Sequence, residues 1–211
     1  RSRTLTDEEI QLLWDALDID NKNIDIFRQT KLALKMILLS GARGGEVAGM
    51  QWDEIKDDVW TIPGSRSKNG DDLEIPLTPM MLYIFGRARA LSGDKDFVFG
   101  ASHHDAPLTV RALSKAVNRH WSEMKIKTQF TPHDVRRTVR TKLAEIGVDD
   151  VVAERLMGHR LQGMMRVYNR HSYLDEKRAA LIKWESHLRR ILGMKVQDAT
   201  GKVVALNSSK R

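Results

Sequence analysis

One stretch of this chain, from Ile55 to Leu77, carries the marks of β-structure. Val59-Trp60-Thr61-Ile62-Pro63 and the alternating Leu73-Glu74-Ile75-Pro76-Leu77 flank a polar turn, Ser67-Lys68-Asn69-Gly70. Alternation with a period of two suits a strand that buries one face, and a glycine-containing turn between two such runs makes a hairpin. It is the one convincing hairpin in the sequence; the other patterned segments repeat at helical spacing.

Thr6-Asp7-Glu8-Glu9 is a capping box, and Ile10, Leu13, Trp14 and Leu17 follow it as one helical face. A loop over Asp18–Asn23 leads to a largely buried helix from Ile26 to Ser40, closed by Gly41, and then to a short helix over Arg43–Met50. Thr78-Pro79 restarts helix, with Met81, Leu82, Tyr83, Ile84 and Phe85 read as core. A further helix spans Thr109–Met124. Thr131-Pro132 pairs an N-cap with proline at the first helical position, and Val135, Val139, Leu143 and Ile146 form a buried stripe before Gly147. Asp149 caps the next helix, Gly158 stops it, and a charged helix from Leu174 to Leu192 buries Leu181, Trp184, Leu188 and Ile191. The tail beyond Gly193 is polar except for Val203–Leu206.

With 211 residues and 41% hydrophobic content the chain suffices for one substantial core. Lys and Arg outnumber the acids 35 to 28, a net charge of +7, which suits a partner made of phosphates. The basic residues are spread along the whole chain, so charge alone also fits an ordinary basic protein. Cysteine is absent, which excludes disulfides and thiolate metal sites and makes a reducing cytoplasm the natural compartment. No run approaches the apolar length of a membrane span. The chain opens without methionine, almost at a helix start, as expected of a domain from a longer protein.

Several polar residues stand where chemistry is conceivable, each with an ordinary structural explanation beside it. His133 and Arg136, at i and i+3, are expected on one helix face opposite the apolar stripe, near an N-terminus that favours anions. They could equally decorate a solvated face. Arg43 follows a glycine turn and can point into a cleft with Glu46 bracing the turn; the two could also form a plain ion pair. Lys68 projects from the tight hairpin turn, where most lysines are merely solvated. His159, after Gly158, could simply cap a helix. Tyr168 lies in a polar, basic stretch without an apolar stripe, which invites a role for its hydroxyl. His103-His104-Asp105 is the one metal-like run, but adjacent side chains diverge, and it reads as loop.

Together these residues mean more than they do singly. Arg43 in a Gly-x-Arg-x-x-Glu setting, Lys68 in a hairpin, His133-x-x-Arg136, Gly158-His159 and Tyr168 nine residues later resemble the tyrosine recombinase family. The resemblance covers Leu5 to Trp184, and Tyr168-Asn169-Arg170-His171-Ser172-Tyr173-Leu174 is similar to integrases of prophages and genomic islands. Gly44-Gly45 and Met164-Met165 depart from common family residues without touching a motif position.

The resemblance implies a mainly helical α+β domain of the tyrosine recombinase catalytic fold, the DNA breaking-rejoining type, with a small antiparallel sheet near Ile55 to Leu77. It implies a catalytic domain over 1–193, a tail over 194–211 that packs on a neighbouring protomer or is disordered, and core-binding and arm-binding domains that would precede this chain. Arg43 and Arg136 would clamp the scissile phosphate, with His133 and His159 bonding it and moving protons. Lys68 would protonate the leaving 5′ oxygen and Tyr168 would be the nucleophile. Glu46 would support Arg43. Arg43, Lys68, Arg136, Arg137 and Arg140 would meet DNA. No metal or cofactor is expected.

The expected function is site-specific recombination, the integration or excision of a phage or genomic island through a 3′-phosphotyrosine. The partners are double-stranded attachment sites, a homotetramer on DNA with the isolated domain monomeric, and a directionality factor, all in a bacterial cytoplasm near the nucleoid and none in a membrane. Type IB topoisomerase-like relaxation and a silent DNA-binding module are the competing readings. Tyr173 is the serious substitute for Tyr168, since Tyr83 is expected in the core.

The chemistry is coherent. A phenol with a pKa near 10 is a poor nucleophile at neutral pH unless positive charge favours the phenolate, and guanidiniums supply that field. Two planar guanidiniums also match phosphate oxygens and the charge that builds in the transition state. Exchange of one phosphodiester for a phosphotyrosine ester is near isoenergetic, so rejoining needs no ATP.

Overall fold

The computed structural model describes residues 3–93, 95–101, 106–159 and 172–194, together with the backbone of 196–197 and 203–204. Helix α2 (Arg28–Ser40) is the axis of the fold. It is buried on nearly every side, polar residues included: Leu32, Met36, Ile37, Leu38 and Leu39 lie beside Gln29, Lys31, Lys35 and Ser40 in the interior. Around it pack α3 (Gly44–Ala48), α4 (Pro79–Ser92), α5 (Val110–His120), α6 (Pro132–Glu145) and α8 (Leu174–Ile191). α1 (Asp7–Ala16) begins at the capping box the sequence predicts, with the Thr6 and Glu9 side chains each bonding the other's backbone, and buries Ile10, Leu13 and Trp14. α7 (Asp150–Leu156) is capped by the Asp149 carboxylate on the Val151 and Val152 amides.

Helix α2 starts two residues later than the periodicity predicts. Ile26 is buried in the lead-in rather than on a helical face, and Lys31 reaches back to bond the carbonyls of Asp18 and Asn21, tying the preceding loop down. α5 is shorter than predicted, ending at His120 ahead of turns that place Lys125 at φ 60°. Tyr83 is not core: it is 61% exposed, its ring and hydroxyl engaged by Arg87, and Leu82 beside it is also exposed. The α4 stripe runs instead through Met81, Ile84, Phe85 and Ala88.

The hairpin is part of a three-stranded antiparallel sheet ordered β1 (Ile55–Lys56), β2 (Val59–Ile62), β3 (Leu73–Pro76). β1 and β2 are joined by Asp57-Asp58, both at positive φ, which suits a two-residue turn with right-handed twist. β2 and β3 pair in register from Val59↔Pro76 to Ile62↔Leu73. The polar turn carrying Lys68 is therefore not tight; it is a loop over residues 63–72. The sheet packs on α8 through β3, where buried Lys177 donates to the carbonyl of Glu74. α8 is pinned to α2 by Trp184, whose indole N–H donates to the Leu38 carbonyl at 2.9 Å. In the tail, Val196–Gln197 pairs antiparallel with Val203–Val204; its other residues from 195 onward lie outside the described residues.

Candidate active site

Four helix ends meet at one place: the C-terminus of α2, the N-termini of α3 and α6, and the C-terminus of α7. α2 closes at Gly41, with φ 67°. Only glycine takes that conformation without a steric penalty, and a Cβ here would run into Cε of Met157. α7 closes similarly at Gly158, with φ 61°, where a Cβ would stand 2.7 Å from Leu73 Cδ2. The carbonyls around these two stops are what hold the arginines.

Arg136 lies under the site, 4% exposed. Its Nη1 donates to the Gly41 carbonyl at 2.6 Å and its Nη2 to the Met157 carbonyl at 2.5 Å, with His159 Nε2 3.2 Å from the same Nη2. The expected exposed face shared by His133 and Arg136 is corrected accordingly. His133 is exposed at the mouth, whereas Arg136 reaches inward because two carbonyls freed at helix ends can satisfy its donors. Burial, then repulsion from Arg43, lowers the Arg136 pKa to about 10, partly offset by Glu46 and Glu154. The guanidinium remains protonated at neutral pH and lacks a full counter-charge.

Arg43 begins α3. Glu46 bonds both its backbone N–H, at 2.8 Å, and its Nη1, at 2.9 Å, while Nη2 donates to the Gly158 carbonyl at 3.3 Å. The ion pair and the brace left open by the sequence are thus one arrangement. His133 is fixed by the capping box that opens α6, in which the Asp134 carboxylate accepts from the Thr131 amide and hydroxyl. Burial, then the positive charges of Arg137 and Arg136, lower the His133 pKa below 6.5. Lys68, from the 63–72 loop, joins Arg43, His133 and Arg136 in lining one cleft of about 290 Å³.

His159 lines the adjoining recess with Ser67, Asn69 and Ser172 and reaches the cleft through Arg136. Its Nδ1 lies 2.5 Å from Glu154 Oε2, and Arg140 holds the other carboxylate oxygen at 2.8 Å. Burial works to raise the Glu154 pKa, but hydrogen bonds from Arg140 and His159 hold it below the usual value. No periodic signal marks Glu154, which meets His159 because the chain turns at Gly158. Of the two further arginines predicted to meet DNA, Arg137 pairs with Asp134 and Arg140 with both Asp150 and Glu154. Tyr168 lies outside the described residues, as do Met164-Met165 and His103-His104-Asp105. Tyr173, the alternative nucleophile, starts α8 at φ 55° with the Arg155 guanidinium over its ring. Among the described residues no group of three or more His, Asp and Glu side chains is placed to hold a metal, and no helix is long and apolar enough to cross a membrane.

Residues 3–174, most of the chain and the whole of this site, match the model of the phage integrase family. The chain belongs to that family. Among its relatives is the prophage integrase IntA of Escherichia coli K12, 28% identical over 167 residues, which cover 77% of this chain and 40% of IntA. The family member described here thus spans well under half of that relative's length. Its fold is shared with a lambda integrase dimer bound to a COC′ core site, at a TM-score of 0.62 and 22% identity, covering 76% of this chain and 59% of that one. A lambda integrase tetramer bound to a Holliday junction matches at 0.61 and 21% identity, covering 84% and 49%. These identities speak for the fold; the mainly helical α+β architecture with a small antiparallel sheet is the one the sequence predicts.

Proposed function

We propose that this integrase-family chain is the catalytic domain of a site-specific DNA recombinase that cleaves and rejoins strands through Tyr168. The observation that carries the reading is the convergence of Arg43, Lys68 and the α6 pair His133 and Arg136, from three separate parts of the chain, on one cleft. Two guanidiniums that share Glu46 as a counter-charge favour an anion, and a phosphodiester bound there gains most as its oxygens acquire charge in the transition state. Burial is the main cause of the lowered pKa values of Arg136 and His133, and the second cause, repulsion among the cleft's cations, is what an incoming anion would relieve.

The Tyr168 phenol oxygen attacks phosphorus and loses its proton, with His159 as acceptor. The bond from phosphorus to the 5′ oxygen breaks, and that oxygen takes a proton from the Lys68 ammonium. The product is a 3′-phosphotyrosine that a 5′ hydroxyl can reverse. Arg137, half turned to solvent, extends the phosphate contact along the duplex; Arg140 does so only by giving up part of its hold on two carboxylates. Assembly as a tetramer on paired attachment sites, a directionality factor, and action at the bacterial nucleoid complete the proposal.

The test uses a pool of nicked duplexes with randomised sequence around the nick. Wild-type chain is expected to trap a subset covalently, and the recovered junctions give the cleavage site and polarity. Tyr168→Phe is expected to bind the same duplexes and form no adduct. No adduct from wild type, or adducts from Tyr168→Phe, would overturn the assignment, the second moving it to Tyr173.

A further inference from the structure

A lysine at a tight hairpin tip would be free to swing. The 63–72 loop that carries Lys68 is instead folded on itself and fastened on both sides of that residue. Within the loop, the amides of Arg66 and Ser67 bond the Pro63 carbonyl, Gly70 bonds Ser67, and the Gly64 amide donates to the Asp72 carboxylate at 2.7 Å.

Two residues before Lys68, Arg66 forks onto Glu54. Its Nε and Nη2 donate to Oε1 at 2.8 and 2.7 Å, and Nη2 also to Oε2 at 2.6 Å. Glu54 is nearly buried and accepts in addition from the Trp60 indole at 3.0 Å, so the anchor is itself fixed to β2. The remaining nitrogen, Nη1, donates to the backbone carbonyl of Glu46 at 3.3 Å. One residue after Lys68, the Asn69 side-chain Nδ2 donates to the Gly158 carbonyl at 2.6 Å.

Both anchors end on groups that also hold Arg43: Glu46 braces it with its side chain, and the Gly158 carbonyl accepts from its Nη2. The loop is therefore registered against the phosphate clamp as well as the sheet. We infer that Arg66 and Asn69 are positioning residues that dock Lys68 over the cleft before DNA arrives. This rests on the proposed role of Lys68 as proton donor to the 5′ oxygen. Fixing the donor within reach removes the orientational cost from the step in which the leaving group departs.

The test has two arms, applied to this chain and to Arg66→Lys and Asn69→Ala. The lysine variant keeps a cation on the Glu54 carboxylate, and the alanine variant trims one half-buried loop side chain, so neither removes a core group. In the first arm, amide hydrogen exchange over residues 63–72 is measured without DNA and is expected to quicken at least about tenfold in both variants. Unchanged exchange would overturn the clamp, whatever the enzyme does with DNA.

In the second arm, cleavage is compared on a trapped duplex and on the same duplex with sulfur replacing the bridging 5′ oxygen. A thiolate leaves without a proton, so a defect in delivering the Lys68 proton vanishes on the sulfur substrate. Both variants are expected to cleave the ordinary duplex about tenfold or more slowly, a fraction of what a general acid supplies, and to regain near wild-type rate on sulfur. Slow cleavage on both substrates, or normal cleavage on both, would overturn the positioning role. If wild type traps no duplex at all, the proposed function fails, and the exchange arm still decides whether the loop is clamped.

Discussion

The Arg136 guanidinium points an N–H at His159 Nε2 from 3.2 Å, so in this arrangement that imidazole nitrogen carries no proton and Nδ1 does, donating to Glu154. The Nε2 lone pair thus faces Arg136 in the proposed phosphate clamp, and once that bond opens it is the nitrogen able to take a proton from a phenol. Glu154→Ala removes the acceptor that selects this tautomer. Nitrogen chemical shifts of His159 are expected to show the Nδ1–H form in the wild type and a shift toward Nε2–H in the variant, with DNA cleavage reduced about tenfold or more. The same tautomer in both proteins would remove Glu154 from this role.

His133 is partly desolvated among cations, Arg137 and Arg136 from its own helix and Arg43 from α3, with Lys68 lining the same cleft; among the described residues the carboxylate that opposes them is Asp134. Its pKa lies below 6.5, so in the free protein it is neutral at pH 7 and becomes cationic only as pH falls through that lowered value. An anion in the cleft reverses the balance. Proton NMR titration is expected to give a His133 midpoint below 6.5 without ligand and a higher one with inorganic phosphate at saturating concentration. A midpoint that does not move would place phosphate elsewhere.

Much of this site was legible before the structure, and the reason is local. Caps, helix stops and the hairpin are written in a few adjacent residues, so Thr6, Gly41, Thr131-Pro132, Asp149 and Gly158 mark real boundaries. The spacing of Arg43, Lys68, His133, Arg136 and His159 could be matched to a family. What could not be read was where side chains settle once distant ends meet. Helical periodicity puts Arg136 on an exposed face because it knows nothing of the Gly41 and Met157 carbonyls. Tyr83 looks like core because it is an aromatic beside apolar residues, although the buried α4 face runs through Met81, Ile84, Phe85 and Ala88. The anchors Glu54, Arg66, Asn69 and Glu154 find their partners across turns that no helical or strand period encodes, Asn69 at a separation of 89 residues.

Gly41 couples stability to the site. At φ 67° an alanine pays a left-handed backbone penalty of about 1–2 kcal/mol, and its Cβ meets both Met157 Cε and, at 3.1 Å, Val139 Cγ1. Met157 can yield at its flexible end, but its carbonyl and that of Gly41 both hold Arg136. Gly41→Ala is expected to lower unfolding stability by about 1–3 kcal/mol in urea titration. It should also weaken DNA cleavage beyond what the remaining folded fraction explains. A stable variant with full cleavage would show that the turn tolerates the side chain.

Lys35 offers a test of the core far from the cleft. Its ammonium lies on α2 over the Trp14 ring, 4.2 Å from the centroid, with the residue 8% exposed. Burial lowers its pKa from 10.5 to about 8; Asp18 and Asp15 oppose the shift, and Arg87 and Lys31 add to it. Between those values the unfolded chain holds a proton that the folded chain has released, so stability rises with pH across this window. The burden is full below pH 8 and gone above 10.5. A shift of that size corresponds to roughly 3 kcal/mol, and the contact with Trp14 returns about 1 kcal/mol. Lys35→Met keeps the length and apolar stem without the charge. It is expected to stabilise the fold by about 2 kcal/mol at pH 7 in urea titration, the advantage shrinking as pH is raised toward 10. An advantage that is absent at pH 7, or that grows with pH, would show that the ammonium is well solvated where it lies.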